Sequence, residues 1–272
     1  MMQAAVSHGS PFSRVAALVL RHWYILRGSW LRILELAYWP AVQMVMWGFL
    51  SEFLSKQANY VAQAFGVLIA GMLLWDVLVR GQLGLSISFL EEMWSRNLGH
   101  LFASPLRPIE FAAGIVTMSL IRTIVGMVPV TLLAIAFFGF SIYSLGWPLL
   151  AFFFTLQMFG WGVGLAISGM VLRKGLGAET FAWAAVFILL PVSGVYYPVN
   201  VLPEWLQVVA WALPPAYVFE GMRDVLAREA VRVDLLAGAV ALSLVYLAIG
   251  FGIFLWLFNG ARRKGLLATQ GE

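Results

Sequence analysis

The sequence predicts an all-α integral membrane fold with six transmembrane helices, an N-terminal amphipathic interfacial helix, a short cytoplasmic helix between spans two and three, and a re-entrant outer hairpin between spans five and six. Three observations carry that expectation. Of 272 residues, 62% are hydrophobic and 11% charged, at a mean hydropathy of +0.88, so the chain cannot present a polar surface to water all round. Its apolar runs are separated by short basic stretches. One apolar stretch, Leu190 to Leu226, is broken repeatedly by Pro191, Pro198, Pro203, Pro214 and Pro215, which remove donors and forbid one continuous helix.

The absence of cysteine excludes disulfides, thiolate metal sites and cysteine nucleophiles. A pI of 9.6 is compatible with nucleic acid, yet the basic residues lie between apolar runs rather than in a soluble patch, so membrane topology explains them. His8, His22 and His100 are far apart and none has a second ligand at metal spacing. Ser and Thr are plentiful, but a nucleophile needs both a base and an oxyanion hole, and no pattern in the chain assembles the two around a candidate.

In chain order, Met1 to Ser10 carries no secretory signal. Residues 11–30 read as the amphipathic helix, with Phe12, Val15, Val19, Trp23 and Leu26 on one side and Arg14, Arg21 and Arg32 on the other, lying on the cytoplasmic leaflet; Gly28 is either its elbow or a tolerated glycine in a helix that extends the first span. Spans are expected at 33–54, 61–83, 108–140, 147–172, 181–198 and 235–259, all within one domain. The third is too long for one straight span of about 20 residues and contains Pro129, so a kink or tilt is expected there. Most Lys and Arg fall on the side of the N-terminus, which makes both termini cytoplasmic.

Two connections stand out. In the loop 84–107, Ser88 and Glu91 have capping-box spacing, so a short helix would start there, carrying Phe89, Trp94 and Asn97 with Glu91, Glu92 and Arg96 facing water or a partner; Phe102 follows. That helix either rests on lipid or docks a cytoplasmic protein. The other is 199–226, a partly inserted outer cap, since apolar pieces of about 10 to 14 residues are more often re-entrant than spanning. Broken backbone is tolerated at membrane depth only where protein buries it or it lines a wet cavity.

The segment Phe89-Leu90-Glu91-Glu92-Met93-Trp94-Ser95-Arg96-Asn97, followed by Ser104-Pro105-Leu106-Arg107-Pro108, resembles the stretch before the third span of the ABC transporter type-2 permeases. The closing pattern is similar too: Pro191-x-Ser193-Gly194-x-Tyr196-Tyr197-Pro198, Leu202-Pro203, Leu213-Pro214-Pro215-x-Tyr217 and Glu220-Gly221-x-Arg223. The resemblance implies a half-transporter of a bacterial exporter in the inner membrane. Two copies would pair through spans one and five, and two separate ATP-binding subunits holding ATP and Mg would dock on a coupling helix at 89–102. This chain would hydrolyse nothing, since it has no phosphate-binding G-x-x-x-x-G-K-[ST] loop.

Ionisable groups inside apolar runs are costly unless paired or wetted. Asp76 and Arg80 lie one turn apart and can pair, whereas Arg122 has no local partner and is expected to approach Asp76 or share a wet cavity with it. Gly160-x-x-x-Gly164 and Ala248-x-x-x-Gly252 are expected to pack helices within one subunit. Tyr196, Tyr197, Trp205 and Phe219 would line a path for an amphipathic, lipid-linked or hydrophobic molecule, each being an interface anchor or core filler otherwise. Glu220, Arg223 and Asp224 would latch the cap. Outside the resemblance, a proton-coupled carrier using Asp76 and a non-transporting membrane anchor remain open.

Overall fold

The computed structural model describes residues 10–57, 62–95, 97, 101, 104–175, 177, 179–228 and 230–263. Every regular element among them is helical: α1 (Pro11–Arg27), α2 (Trp30–Gln57), α3 (Ala62–Trp94), α4 (Pro108–Phe138), α5 (Pro148–Lys174), α6 (Glu179–Val192), α7 (Glu204–Trp211), α8 (Pro214–Arg228) and α9 (Val233–Arg263), with 3-10 turns at Ile142–Leu145 and Val199–Val201. Five of these, α2, α3, α4, α5 and α9, are long and apolar enough to cross a membrane.

The elbow falls where Gly28 predicts it, between α1 and α2. Ser10 caps α1, its hydroxyl accepting from the Ser13 amide at 3.2 Å. The expected loop from Gly84 onward is instead helical to Trp94, because nothing between Ala62 and Trp94 breaks the helix. Gly84, where the loop is expected to open, is a contact point: a Cβ there would stand 3.3 Å from the Ser119 hydroxyl, as one on Gly71 would stand 2.9 Å from the Val195 carbonyl oxygen. Ser88 starts no helix either. Its hydroxyl donates back to the Gly84 carbonyl at 2.7 Å, and the capping box is not formed. At 33 residues, α3 is about 50 Å long, well beyond the ~30 Å hydrocarbon layer, so its last turns belong to the interface where α1 packs.

α4 begins at Pro108, with Glu110 reaching back to the Arg107 amide at 3.0 Å. It runs unbroken through Pro129 and ends at Gly139, whose left-handed φ of 63° suits a residue without a Cβ. α5 is the central helix. Gly160 and Gly164 bring it onto α3, where a Cβ on either would stand 2.8 Å from a carbonyl oxygen, of Leu78 or Gln82. On its other side Gly162 meets Tyr246 and Gly250, while Gly169 meets Phe254 and Leu257. The small-residue contact expected at Ala248 and Gly252 therefore falls on Gly250; Gly252 has nothing within 4 Å.

Those contacts advance together along both chains, so α5 and α9 run parallel. The chain must return to the other side between them, through α6, α7 and α8. The expected fifth span is represented by the 14-residue α6, about 21 Å long and too short to cross alone. The core is continuous along the bundle, with Phe89, Phe111, Phe159, Phe219, Phe254 and Phe258 fully enclosed.

Candidate functional site

Three charged constellations occupy positions where the bundle is otherwise apolar. The first joins α1 to the end of α3 and the start of α4. Arg14 sends a two-pronged fork to Glu110, Nε to Oε2 at 2.8 Å and Nη2 to Oε1 at 2.5 Å. This bond pushes the Arg14 guanidinium above its ordinary value. Arg21 binds Glu92 at 2.5 Å, His22 Nε2 stands 3.1 Å from the same oxygen, and Asn97 donates to the other at 2.8 Å. Leu18 fills the space between, sitting where a Cβ on Gly114 would be.

The arginine face of α1 thus meets protein carboxylates rather than water alone, while Phe12, Leu20, Tyr24 and Trp30 remain exposed. Glu92 is 2% exposed and Phe89 is fully buried against Phe111 and Phe254. Glu92 is expected from the sequence to face water or a partner; the continuation of α3 turns it, with Phe89, into the α1–α4–α9 core instead. Trp94 faces out, at 48% exposure. Glu91 is half-buried, and Arg96 and Phe102 lie outside the described residues. A shallow groove of about 290 Å³ runs between Arg14, Leu18 and Arg21 on α1 and Leu101, Pro105 and Leu106.

The second constellation runs along α3. Asp76 and Arg80 pair as their spacing predicts, Nε to Oδ2 at 2.5 Å. Arg122 does not join them. It donates to the Ser88 hydroxyl at 2.9 Å and to Glu91 at 3.2 Å, and Arg32 approaches the other Glu91 oxygen at 3.5 Å. Ser119, one turn before Arg122, lies at Gly81, so the Arg122 side chain extends along α3 toward the α1 side. A long stem reaching back to the interface is the expected behaviour of arginine in a bilayer, and it is why Asp76 is not the partner.

The third holds the broken outer stretch. Arg223 donates from Nη2 to the carbonyls of Gly194, Val195 and Tyr197, the last two at 3.0 Å. Glu220 accepts from the Val199 amide at 2.6 Å and lies 3.3 Å from Arg223. Burial lowers the Arg223 guanidinium from its ordinary value, and Glu220 works against that shift. Asp224 pairs across the turn with Arg232 at 3.7 Å. The backbone groups freed where α6 stops are thus met by side chains, as buried backbone requires.

Of the aromatic positions, Tyr196 stacks on Trp47 with ring centroids 4.0 Å apart, Tyr197 donates to the Pro191 carbonyl at 2.5 Å, and Trp205 is 70% exposed. Phe219 is fully buried in the core and lines no open path here. Among the described residues no three His, Asp or Glu side chains gather as a metal-binding group.

What sequence reasoning missed is the clamp on α1. Arg14 and Glu110 are 96 positions apart, and only the acidic third residue of α4 facing an arginine-lined amphipathic helix hinted at it.

A helical bundle with five helices long and apolar enough to cross a membrane, and with ion pairs tying α1 to two of them, is that of a polytopic membrane protein. The chain belongs to the ABC-2 type transporter family, whose model matches residues 15–227. It is 24% identical over 162 residues to the inner membrane transport permease YadH of Escherichia coli strain K12, covering 57% of this chain and 60% of that one. The YadH permease of Shigella flexneri gives the same identity and coverage. ABC transporter G family member 20 of Dictyostelium discoideum is 30% identical over 143 residues, which is 52% of this chain and 19% of that protein. The match thus spans about 60% of the length of the bacterial permeases.

Proposed function

We propose that this chain is the membrane subunit of an ATP-driven exporter in a bacterial inner membrane, with both termini cytoplasmic. Paired with a second copy or a related permease, it forms a path outward for an amphipathic, lipid-linked or hydrophobic molecule. Two separate ATP-binding subunits, which hold ATP and Mg, dock beneath it at the Trp94 turn. The observation that carries this reading is the continuity of α3: one helix joins the exposed Trp94 to the Asp76–Arg80 pair inside the bundle. A push at Trp94 therefore moves α3 as a rigid lever. Glu91 and Glu92 act in this scheme by fixing α4 and α1 to the lever.

The exposed apolar faces of α2 and α6, including Trp39, Phe181, Trp183 and Phe187, supply the pairing surface. Met44 and Trp47, also on α2, are not part of it: Met44 is fully buried and Trp47 stacks on Tyr196.

The test is ATP hydrolysis by the ATP-binding protein encoded beside this chain, purified with and without it in lipid, for wild type and Trp94→Ala. Co-purification and a turnover that depends on Trp94 are expected. Because Glu92 is buried, its substitution would report folding rather than docking. An intact chain that associates with no ATPase contradicts the proposal.

A further inference from the structure

α2 contains a proline in its interior, Pro40. A proline has no N–H, so the carbonyl four residues earlier loses its helical donor, and the ring presses on that carbonyl. Here that carbonyl belongs to Leu36. In a bilayer an unpaired carbonyl is expensive, and some other group has to meet it. The structure supplies one from a different helix: Arg80 Nη2, on α3, donates to the Leu36 carbonyl oxygen.

Four further features converge on this contact. Asp76 grips Arg80 through Nε at 2.5 Å, which fixes the guanidinium plane and turns its far nitrogen toward α2. Gly126 on α4 leaves the room the guanidinium needs, since a Cβ there would overlap it. Pro40 itself is buried, although α2 as a whole is mostly exposed, with 17% of its apolar window covered. Beyond Pro40, the outer half of α2 makes specific contacts: Trp47 stacks on Tyr196 of the cap, and Gly48 lies against the Phe138 ring, where a Cβ would come 2.6 Å from Cε1.

We infer that Arg80 is a positioning residue that caps the carbonyl orphaned by Pro40, and so sets the direction in which the outer half of α2 leaves the bundle toward the cap. Asp76 acts by aiming Arg80, and the pair is a joint between two helices rather than a carrier of protons. The inference concerns the fold of one copy and stands whether or not the chain docks an ATPase. Lysine cannot replace Arg80 here, because a single ammonium on a flexible stem does not offer the fork that reaches Asp76 and Leu36 together.

The absence of native cysteine makes the test clean. Nitroxide labels are placed on Met46→Cys, in the outer half of α2, and Leu244→Cys, on α9, both exposed in the native chain. The labelled full-length protein is diluted tenfold into unlabelled protein in lipid, so that intramolecular distances dominate the pulsed electron resonance signal. Four backgrounds are compared: wild type, Arg80→Lys, Pro40→Ala, and both together. Arg80→Lys is expected to broaden the distance distribution at least twofold. Pro40→Ala returns an N–H to the Leu36 carbonyl, so adding Arg80→Lys to it should change the width little. If Arg80→Lys alone fails to fold, the double variant is expected to recover a monodisperse protein. An unchanged width in Arg80→Lys overturns the inference. So does broadening of the same size with Pro40→Ala present, or a misfolded Arg80→Lys that Pro40→Ala does not recover.

Discussion

Replacing Gly250 by alanine places a methyl group on the backbone of a neighbouring helix. An ideal Cβ at Gly250 overlaps the Gly162 carbonyl and stands 2.6 Å from its carbon and 2.8 Å from its Cα. Carbon atoms prefer about 3.5–4.0 Å, so α5 and α9 must part by roughly 1 Å at this crossing, and a gap of that size forfeits a quarter to a half of each contact's attraction. No flexible side chain can yield, because the clash is with main chain. Overpacking of this kind costs about 1–3 kcal/mol, against which alanine returns up to about 1 kcal/mol of helix propensity over glycine.

A net loss of about 1 kcal/mol, the middle of that balance, corresponds to a melting temperature lower by roughly 2–4 °C for a chain of this size. Gly252, two positions on, has nothing within 4 Å of its ideal Cβ, and Gly252→Ala is therefore expected to be neutral or stabilising. Thermal unfolding in lipid, followed by the fluorescence of the 12 tryptophans, compares the two. A larger loss at Gly252 than at Gly250 would falsify the packing of α5 against α9.

Three further outcomes follow from the charged constellations. Arg223→Gln removes the charged donor that meets the carbonyls of Gly194, Val195 and Tyr197, each such bond being worth about 1.5–3 kcal/mol; amide exchange over 193–199 should accelerate at least tenfold while α5 stays protected. Glu92→Gln leaves Arg21 and His22 facing a neutral group, which should loosen α1 and speed proteolysis at the Gly28–Ser29 elbow several-fold, with α3 to α5 resisting as before. Arg122→Met strands the Glu91 carboxylate beside Arg32, at a cost of about 1–3 kcal/mol for a pair with one partly exposed member, below the 3–5 kcal/mol typical of a fully buried one; Arg122→Met combined with Glu91→Gln should recover part of the lost melting temperature.

Much of the architecture was legible because bilayer burial writes itself into composition. The elbow at Gly28, the starts of α4 and α5 at Pro108 and Pro148, and the broken hairpin after Pro191 follow from local chemistry that needs no partner. The Asp76–Arg80 pair was legible for the same reason, its members being one turn apart. The loop at Gly84 was misread because glycine signals a break only when nothing packs on it, and here Ser119 does. Glu92 looked exposed because its partners, Arg21 and His22, lie on a helix 70 or so residues away. Arg122 was matched to the carboxylate nearest in depth, whereas its reach along α3 brought it to Glu91. Phe219 read as path lining because an aromatic residue in a broken segment looks the same whether it faces a channel or fills the core.

The proposed coupling role of α3 depends on what meets the Trp94 turn in the cell membrane. A photo-crosslinking amino acid at position 94 in the full-length chain, with a control at Tyr143, 62% exposed on the turn between α4 and α5, measures this directly. An adduct at position 94, identified by mass spectrometry as an ATP-binding-cassette protein and absent at position 143, is the predicted result. Equal labelling at both positions, or no such protein at position 94, contradicts the proposal that the end of α3 is where ATP hydrolysis drives this permease.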